Sequence, residues 1–579
     1  MKLKYILPTL LFLVSVIIGC DDNYLDTPPE HLINATAYFN SAEDLKTYTN
    51  SFYGMLPGQD VYQEDENSDN ILPLIVSDRV KGTRLVPVER GSAGWNWEDL
   101  RTINFFLEHC SKCPDEDAKK HYSGVAKFFR AYFYYNKVKM YGDVPWYSGV
   151  LNAGDEDLYK ARDSRVLVMD SVLTDINYAI ENIPAEVNVN QITKYSALAL
   201  KARLCLFEGT FRKYHNLGDY QVFLNEAVDA SSALIQSGQY GLFKGDGPDA
   251  AYRNLFDRLD QISDETILAR DYNANYIRHN MGYLMTAPTM GAYGIPKDLV
   301  NCYLMKDGSR FTDKEDHDEI GFYEEMQDRD PRLTQTTAGP DFIAYGASQK
   351  EPVDLSATTT GYRVIKALSS KEQWNLRSSV NDIIIFRFAE ALLIYAEAKA
   401  ELGTIIQTDL DISINRLRDR VEMPHLSLAE ANASPDPFLE NMYPNVESGA
   451  NKGVILEIRR ERRIEMFMEG LRWDDLMRWK EGKKLEKPVH GIYFSSLGAF
   501  DFDNDGSADV FLHDGNASGA PSGTPNIINV NIQKLTNGTS GNFDPFPAGG
   551  SFDEEKDYFF PIPLEDLNLN SNLEQNPGW

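Results

Sequence analysis

The sequence predicts a mainly helical fold in which helix hairpins form a scaffold and carry a loop-rich half. Two observations predict it: apolar residues recur at helical spacing over paired stretches, and long segments rich in Gly, Tyr, Asn and Asp interrupt them. We expect the scaffold at about 41–56, 101–240 and 383–480. We expect loop-rich insertions, where binding residues usually lie, at about 57–100, 241–380 and 482–550.

The first helical segments have recognisable end signals. Ser41-Ala42-Glu43-Asp44 has the pattern of a capping box, and apolar residues follow it at helical spacing. A strongly aromatic segment from Lys119 to Tyr141 is also predicted to be a helix. Gly142 and Pro145 end it, because glycine is favoured just past a helix and proline cannot continue one.

Two later helices are unusually rich in alanine. The alanines are Ala197, Ala199 and Ala202 in one helix, and Ala389, Ala391, Ala396, Ala398 and Ala400 in the other. Small residues on a helix face allow a partner helix to approach closely, as in tetratricopeptide-type hairpins. The spacing between hairpins is irregular, so a degenerate repeat array and an ordinary helical bundle both remain open.

The charge and aromatic content favour a neutral polyhydroxylated ligand. The formal net charge is −30, from 57 basic and 87 acidic residues, and nucleic acid or anionic lipid would demand a basic surface. We therefore expect no nucleic-acid partner. Aromatic residues make up 12% of the chain, and their flat faces suit sugar rings as well as protein cores.

The N-terminus has the pattern of an export signal that ends in a lipid-modified cysteine. Lys2 and Lys4 precede an apolar run that is too short to span a bilayer comfortably. The run ends in Gly19-Cys20, which predicts a signal peptide over 1–19 and a lipid anchor on Cys20. The alternative is an ordinary signal peptide with a chance cysteine, but charged and polar residues follow and no small-residue cleavage site is present.

Cys110 and Cys113 form a CxxC pair at the end of a helical pattern. A zinc site needs a second pair, and a thioredoxin-like site needs a preceding strand. The pair is therefore predicted to be structural, either as free thiols or as a local disulfide.

Three stretches together resemble the SusD/RagB family of outer-membrane lipoproteins. They are Phe129-Arg130-Ala131-Tyr132-Phe133-Tyr134 with Tyr141-Gly142-Asp143-Val144-Pro145, Glu461-Arg462-Arg463-Ile464-Glu465 with Glu469-Gly470-Leu471-Arg472-Trp473, and Phe560-Pro561-Ile562-Pro563 with Asn576-Pro577-Gly578-Trp579. Weaker matches lie between them, so the resemblance spans nearly the whole chain in the family's order. One departure is Leu471, which stands where the family commonly has histidine.

The resemblance implies a single domain over 20–579, with about four tetratricopeptide-like helix pairs supporting a loop-rich half and a C-terminal tail (556–579) packed on the body. It also implies a non-enzymatic protein that binds oligosaccharide on the cell surface and delivers it to a SusC-like TonB-dependent transporter. The anchor at Cys20 would hold it on the outer membrane, facing the cell exterior. Two alternatives remain open, a surface glycoside hydrolase and a peptide-binding member of the same family.

Four glutamates at i, i+4 spacing, Glu457, Glu461, Glu465 and Glu469, are predicted on one helix near 455–480. Such a stripe repels itself in an isolated helix, so it needs cations from nearby. We expect a structural ion-pair network with arginines of the same segment and with Arg416, Arg418 and Arg420. The alternative is glycosidase chemistry by a pair of these carboxylates.

The candidate glycan-binding residues are aromatic or planar polar side chains in the loop-rich regions, because sugars need apolar faces and planar hydrogen-bonding groups. They are Asp78, Trp95, Trp97, Tyr276, Tyr283, Arg363 and Trp374. Of Trp95 and Trp97, one is expected to pack inward and the other to face out. Tyr272, Tyr293 and Tyr362 lie in the same loop zones.

A further pattern, DxDxDGxxD, predicts a short calcium loop. Its oxygen ligands would be Asp501, Asp503, Asp505, Ser507 and Asp509. Leu512 stands where a complete EF-hand loop has its bidentate glutamate. The alternative is a solvated acidic turn; in either case we expect no cofactor that takes part in chemistry.

Overall fold

The computed structural model describes residues 38–579. The predicted signal peptide and the predicted anchor at Cys20 lie outside the described residues. Among the helices of residues 38–579, none is both long enough and apolar enough to cross a membrane.

The scaffold is a series of helices that pack side by side. Its members are α1 (Ala42–Asn50), α2 (Glu98–His109), α3 (Glu116–Tyr141), α4 (Arg165–Asn182), α5 (Lys194–Tyr214), α6 (Tyr220–Gln236), α7 (Phe388–Glu401), α8 (Ile414–Arg420), α9 (Lys452–Glu465) and α10 (Arg472–Arg478). From α3 to α7 each helix contacts the next, and α9 packs against α7. The predicted mainly helical fold is confirmed, whereas its tetratricopeptide-like arrangement stays a prediction.

Small residues allow the close packing of this series. A Cβ atom at Gly209 of α5 would lie 2.8 Å from the Leu224 side chain of α6. The predicted small-residue positions Ala197 and Ala202 are fully buried, as is Ala227 on the facing helix. Because interiors are close-packed, any larger side chain here would push the two helices apart.

The loop-rich half is built from short elements. Its helices are Asp60–Gln63, Asp78–Lys81, Ala251–Asp257, Met281–Thr286, Lys297–Val300, Phe322–Glu325 and Arg332–Thr336. Three more short helices lie in the scaffold region at Gln407–Asp411, Leu428–Ala433 and Pro437–Met442, and one lies in the tail at Leu564–Leu569.

Short strands complete this half. They are β1 (Thr266–Arg270), β2 (Ile383–Arg387), β3 (Tyr493–Phe494), β4 (Gly498–Phe500), β5 (Val510–His513), β6 (Asn526–Asn529) and β7 (Gly541–Asn542). Strands β1 and β2 pair antiparallel, as do β3 and β7. In the third sheet β5 lies in the middle, antiparallel to β4 and parallel to β6.

The C-terminal segment packs onto the end of α3. The Phe560 amide donates to the Met140 carbonyl at 2.7 Å, and Ile562 is fully buried. The guanidinium of Arg84 lies over the rings of Phe560 and Trp579, at 4.7 and 5.1 Å from their centroids. These contacts close the tail onto the body.

The cysteines of the described residues are all free and buried. Of the two states left open for Cys110 and Cys113, the structure therefore has the reduced one.

The glutamate stripe does not lie on one continuous helix. Helix α9 ends at Glu465, and Glu469 sits in the turn that leads to α10. Tyr252 donates its hydroxyl to the carbonyls of Ile464 and Glu465, at 3.1 and 2.9 Å. These bonds satisfy carbonyls that a further helical turn would otherwise occupy, so the chain can leave the helix there.

Helix α9 is buried along nearly its whole length, and its carboxylates are paired. Glu465, fully buried, contacts the guanidinium groups of Arg420, Arg387 and Arg332 at 2.6, 2.7 and 3.1 Å. Glu461 pairs with Arg332 at 2.6 Å and with Arg418 at 3.1 Å. The predicted structural network is therefore present.

Several cations of this ion-pair network come from outside the segment 455–480 and the arginines at 416, 418 and 420, where we expected them. Arg332 and Lys366 belong to the loop-rich half, and Arg387 ends β2. Glu469 is bound by Arg387 at 2.7 Å and by Lys366 at 2.6 Å. Arg416, expected in the network, instead stacks on the Phe388 ring at 4.9 Å. The network therefore joins the scaffold to the loop-rich half.

The pKa of the Glu465 carboxyl shows the balance of forces in this network. Burial alone raises that pKa, but the charges of Arg420, Arg387 and Arg332 outweigh burial and hold it well below the usual range. Burial likewise lowers the pKa of Lys366 to about 8, although Glu469 opposes this shift. The Glu465 carboxylate is therefore charged at neutral pH and depends on its arginine partners.

We predict that Glu465→Gln lowers the free energy of unfolding by about 3–5 kcal/mol, because it leaves buried arginines without their counter-charge. Urea unfolding followed by circular dichroism measures this. The matched control is Glu43→Gln, which removes an exposed carboxylate 3.9 Å from Lys46 and should cost about 1 kcal/mol or less.

The pH dependence of this difference is a second part of the same test. A carboxyl whose folded pKa is depressed stabilises the fold above its unfolded pKa, about 4.3 for glutamate, and loses that contribution as the pH falls below it. The difference in the free energy of unfolding between wild type and Glu465→Gln should therefore decrease below about pH 4. An equal loss in both variants, or a gap that does not change with pH, would contradict the network's role.

Candidate functional site

The candidate glycan-binding residues fall into two groups. Tyr276, Tyr283, Arg363 and Trp374 lie on neighbouring segments of the loop-rich half, here called the aromatic face. Trp95 and Trp97 line a separate cavity beside the C-terminal segment, here called the tryptophan pocket. Asp78 belongs to neither group.

The most exposed aromatic ring of the aromatic face is Tyr276. It lies in a tight turn in which the amides of Tyr276 and Ile277 donate to the Asn273 carbonyl, at 3.3 and 3.2 Å. The Tyr276 side chain is 89% exposed, and Ile277 beside it is 38% exposed. A hydrogen-bonded turn therefore projects a flat ring into solvent.

Trp374 and Arg363 form the second part of the face. The guanidinium of Arg363 stacks on the Trp374 ring at 5.6 Å, and the indole Nε1 donates to the Ser369 carbonyl at 2.8 Å. Arg363 is buried, and Asp354 lies 3.9 Å from it. Trp374 is half-buried, so its ring is fixed while part of it remains accessible.

The helix Met281–Thr286, which carries the half-buried Tyr283, connects these two parts. A Cβ atom at Gly282 would lie 2.3 Å from the Gln373 carbonyl oxygen, so this helix packs directly on the segment that bears Trp374. The backbones of His279 and Ser379 pair in an antiparallel bridge. These contacts tie the segments of Tyr276, Tyr283 and Trp374 together.

Sequence reasoning missed apolar residues at the edges of this face. Leu74 and Ile75 are 49% and 77% exposed, and the Leu74 amide donates to the Gly291 carbonyl at 2.9 Å. Leu376 is 60% exposed. Leu74 and Ile75 lie in the predicted loop-rich insertion 57–100, where the apolar run Ile71 to Val76 was a usable signal.

Three other tyrosines of the same loop zones are interior residues. Tyr272, Tyr293 and Tyr362 are all buried. Tyr362 donates to Glu325 at 2.5 Å, and Tyr293 bonds to Glu66. They shape the loops from inside and do not reach the surface.

Of the two tryptophans that line the tryptophan pocket, Trp95 is the one that packs inward. Trp95 is 3% exposed and packs edge-on against Tyr141, with ring centroids 4.7 Å apart. Trp97 is partly exposed and packs against Phe133 and Tyr147. Both rings nevertheless line the same cavity of about 580 Å³.

Asp78 starts a short helix on another part of the surface. Its carboxylate accepts a hydrogen bond from the Thr83 hydroxyl at 2.8 Å, and the same helix bonds to Ser551 through the Val80 carbonyl. The carboxylate thus closes its own turn.

The predicted calcium loop brings together three of its five expected ligands. Oxygens of Asp501, Asp503 and Asp509 lie within 4.8 Å of one another. The Asp505 carboxylate instead accepts the Ser507 amide at 2.7 Å, and both of these side chains are exposed. Burial, and then the charges of Asp503 and Asp501, raise the pKa of Asp509. A bound cation would relieve this repulsion.

The glutamates considered for glycosidase chemistry are not accessible to a glycan. Glu461 and Glu465 are almost completely buried, and arginine side chains occupy their oxygens. Their role in this structure is to hold helices together.

The chain is similar to proteins of one family. A family model described as "SusD family" matches residues 256–579, and one described as "Starch-binding associating with outer membrane" matches residues 23–206. SusD-like protein P38 of Formosa agariphila is 25% identical over 526 residues, which cover 85% of this chain and 94% of that protein.

Solved structures share the fold. A SusD-like carbohydrate-binding protein of Bacteroides fragilis NCTC 9343 superposes with a TM-score of 0.68 at 21% identity, covering 93% of this chain and 99% of the other. A laminarin-binding SusD-like protein superposes with a TM-score of 0.54 at 16% identity, covering 93% of this chain and all of the other. Because the first family model covers more than half of the sequence, the chain belongs to the SusD family.

Proposed function

We propose that this protein binds oligosaccharide on the aromatic face and presents it to a TonB-dependent outer-membrane transporter. The observation that carries the proposal is the Tyr276 ring, 89% exposed on a hydrogen-bonded turn, on a face that also bears Trp374 and Arg363. The carbohydrate-binding and laminarin-binding SusD-like structures support a glycan as the ligand class.

The chemistry of the face suits a sugar. The apolar C–H side of a pyranose stacks on a flat ring, and Tyr276 offers a ring open to solvent. Stacking on Arg363 fixes the Trp374 ring in one orientation, so little side-chain entropy is lost on binding. Exposed Ile75 and Leu376 extend the apolar surface along the face.

The protein acts as a binding protein without catalysis. The glutamates that a glycosidase mechanism would need from helix α9, Glu461 and Glu465, are buried and paired with arginine, so they cannot act on a bound glycan as a glycosidase acid–base pair does. Ligand binding and release are then the whole of its chemistry.

Its place of action is the outer membrane, with the lipid on Cys20 as the anchor and the folded body facing the cell exterior. The family description that includes outer-membrane association supports this location. A SusC-like transporter is the partner that receives the glycan. An anchored body stays beside such a partner at high effective concentration without a spanning helix.

A calcium ion is proposed for the loop of Asp501, Asp503 and Asp509. Three converging carboxylates are the oxygen ligands that this ion prefers. The ion would order the loop and would take no part in glycan chemistry.

We predict that Tyr276→Ala and Trp374→Ala each weaken glycan binding about 2- to 10-fold, since one aromatic contact is worth about 0.5–1.5 kcal/mol. Isothermal titration against a panel of neutral oligosaccharides that includes laminarihexaose measures this. The matched control is Tyr220→Ala at the start of α6, which should bind like wild type. The same incubations should release no reducing ends.

The alternatives give different results in that experiment. Release of reducing ends would make the protein a glycoside hydrolase. Absence of binding to every glycan would favour a peptide-binding member of the family. Wild-type affinity in both Tyr276→Ala and Trp374→Ala would place the binding surface elsewhere.

We predict that Cys20→Ala moves the protein from the membrane fraction to the soluble fraction, because Cys20 carries the proposed lipid and the cysteines of residues 38–579 are buried. Cell fractionation with immunoblotting measures the change. The purified variant should keep wild-type glycan affinity, since the binding face belongs to the folded body. Loss of affinity in solution would contradict this separation of anchor and body.

We predict that calcium raises the melting temperature of the wild type but not of Asp503→Asn. At a hundredfold excess over Kd, binding adds about 2.7 kcal/mol of stability, which differential scanning fluorimetry detects. Asp514→Asn, an exposed carboxylate outside the cluster, should respond like wild type. If calcium does not change the melting temperature of the wild type, the loop is a solvated acidic turn.

A further inference from the structure

A cavity lies where the first loop-rich insertion meets the scaffold and the C-terminal tail. It has a volume of about 580 Å³, within the usual range of small-molecule sites. Its walls come from 54–64, the short helix of Arg79, the scaffold helices α3, α5 and α10, the end of β1, and Phe560 of the tail. It shares no residue with the aromatic face or the tryptophan pocket, and it is here called the methionine cavity.

Apolar side chains form one part of the wall of the methionine cavity. The guanidinium of Arg79 lies over the rings of Trp473 and Phe560, at 5.4 and 4.9 Å from their centroids, and holds both rings on one side. Methionine side chains are flexible and polarisable, so they adapt to the apolar group of a ligand. The apolar residues of the wall include Met55, Met140, Met477, Phe207, Trp473 and Phe560.

The charged side chains of the cavity comprise three cations and three anions, and four of these groups are already paired. Arg79 pairs with Glu64, and Lys139 pairs with Asp474 at 2.6 Å. Each of these pairs neutralises itself without a ligand. One cation and one anion of the wall are therefore left over.

The remaining cation and anion are Arg270 and Asp60, and neither has an ion-pair partner within residues 38–579. Arg270 donates through Nη1 to the Leu56 carbonyl at 2.8 Å, and the exposed Asp60 accepts the Gly58 amide at 2.7 Å. Both groups lie beside Gly58, where a Cβ atom would be 3.7 Å from Arg270 Nη1 and 3.5 Å from Asp60 Oδ1. Two opposite charges thus lie close together at the edge of an apolar cavity without neutralising each other.

We propose that the methionine cavity binds a small zwitterion, an α-amino acid with an apolar side chain. Arg270 binds the carboxylate, because its planar fork matches carboxylate geometry, and Asp60 binds the ammonium group. The apolar wall receives the side chain of the ligand. Such a ligand has no net charge, so an acidic protein does not repel it. The site goes beyond the proposed function and does not depend on it.

Fluorine NMR of 5-fluorotryptophan-labelled mature protein tests the proposal, because Trp473 lines the cavity. Trp473→Phe assigns the reporter resonance by its disappearance. The protein is titrated with L-methionine, L-leucine and L-phenylalanine, and we expect at least one of them to shift this resonance saturably. The N-acetyl derivative of that amino acid lacks the ammonium and its amide lacks the carboxylate, so each should bind about 10- to 100-fold more weakly.

Two variants assign each ligand charge to its partner. In Asp60→Asn the free amino acid should bind no better than its N-acetyl derivative, and in Arg270→Gln no better than its amide. Asp229→Asn removes an exposed carboxylate on α6 and should bind like wild type. Tyr276→Ala should also keep wild-type amino-acid affinity, because the aromatic face shares no residue with the cavity.

Several outcomes would overturn the site. They are the absence of a saturable shift with all three amino acids, equal affinities for the free amino acid and both derivatives, and wild-type affinity in both Asp60→Asn and Arg270→Gln. The derivatives act on the unmodified protein, so they decide the question even if a variant does not fold. Amino-acid binding without any glycan binding supports this site and contradicts the proposed function, whereas glycan binding alone does the reverse.

Discussion

The structure depends on the buried ion pairs that surround Glu465. A carboxylate in the interior is tolerated only when cations and hydrogen bonds replace the water that it has lost. Here Arg332, Arg387 and Arg420 replace that water, and they come from a short helix of the loop-rich half, a strand and a scaffold helix. One buried charge therefore holds three otherwise separate parts of the chain in a single arrangement.

The aromatic face is built directly on this arrangement. Lys366 reaches the buried Glu469 and lies three residues after Arg363, which stacks on Trp374. Strand β2, which ends in Arg387, pairs with β1, and β1 leads into the turn of Tyr276. Short segments thus connect Tyr276 and Trp374 to buried charged residues, and these buried charges hold the backbone of the long loops in place.

The sequence was informative wherever a local rule applied. Helical spacing and end signals predicted the scaffold, and the excess of carboxylates on one segment required an arginine network. It could not identify Arg332, Arg387 and Lys366 as partners, because those contacts join residues far apart in the chain. Nor could it rank exposure within a loop: Tyr276 projects into solvent and Tyr272, four residues earlier, is buried. That difference depends on tertiary packing.

The buried arginines also determine how the surface meets its ligand. The chain has 30 more acidic than basic residues, and many of its arginines are paired inside the body. The exterior is therefore acidic, and it repels anionic polymers while leaving neutral ones unaffected. Stacking on a neutral sugar and hydrogen bonding to it do not depend on the negative charge of the exterior. The charge distribution that stabilises the interior is thus compatible with the glycan binding that we propose at the aromatic face.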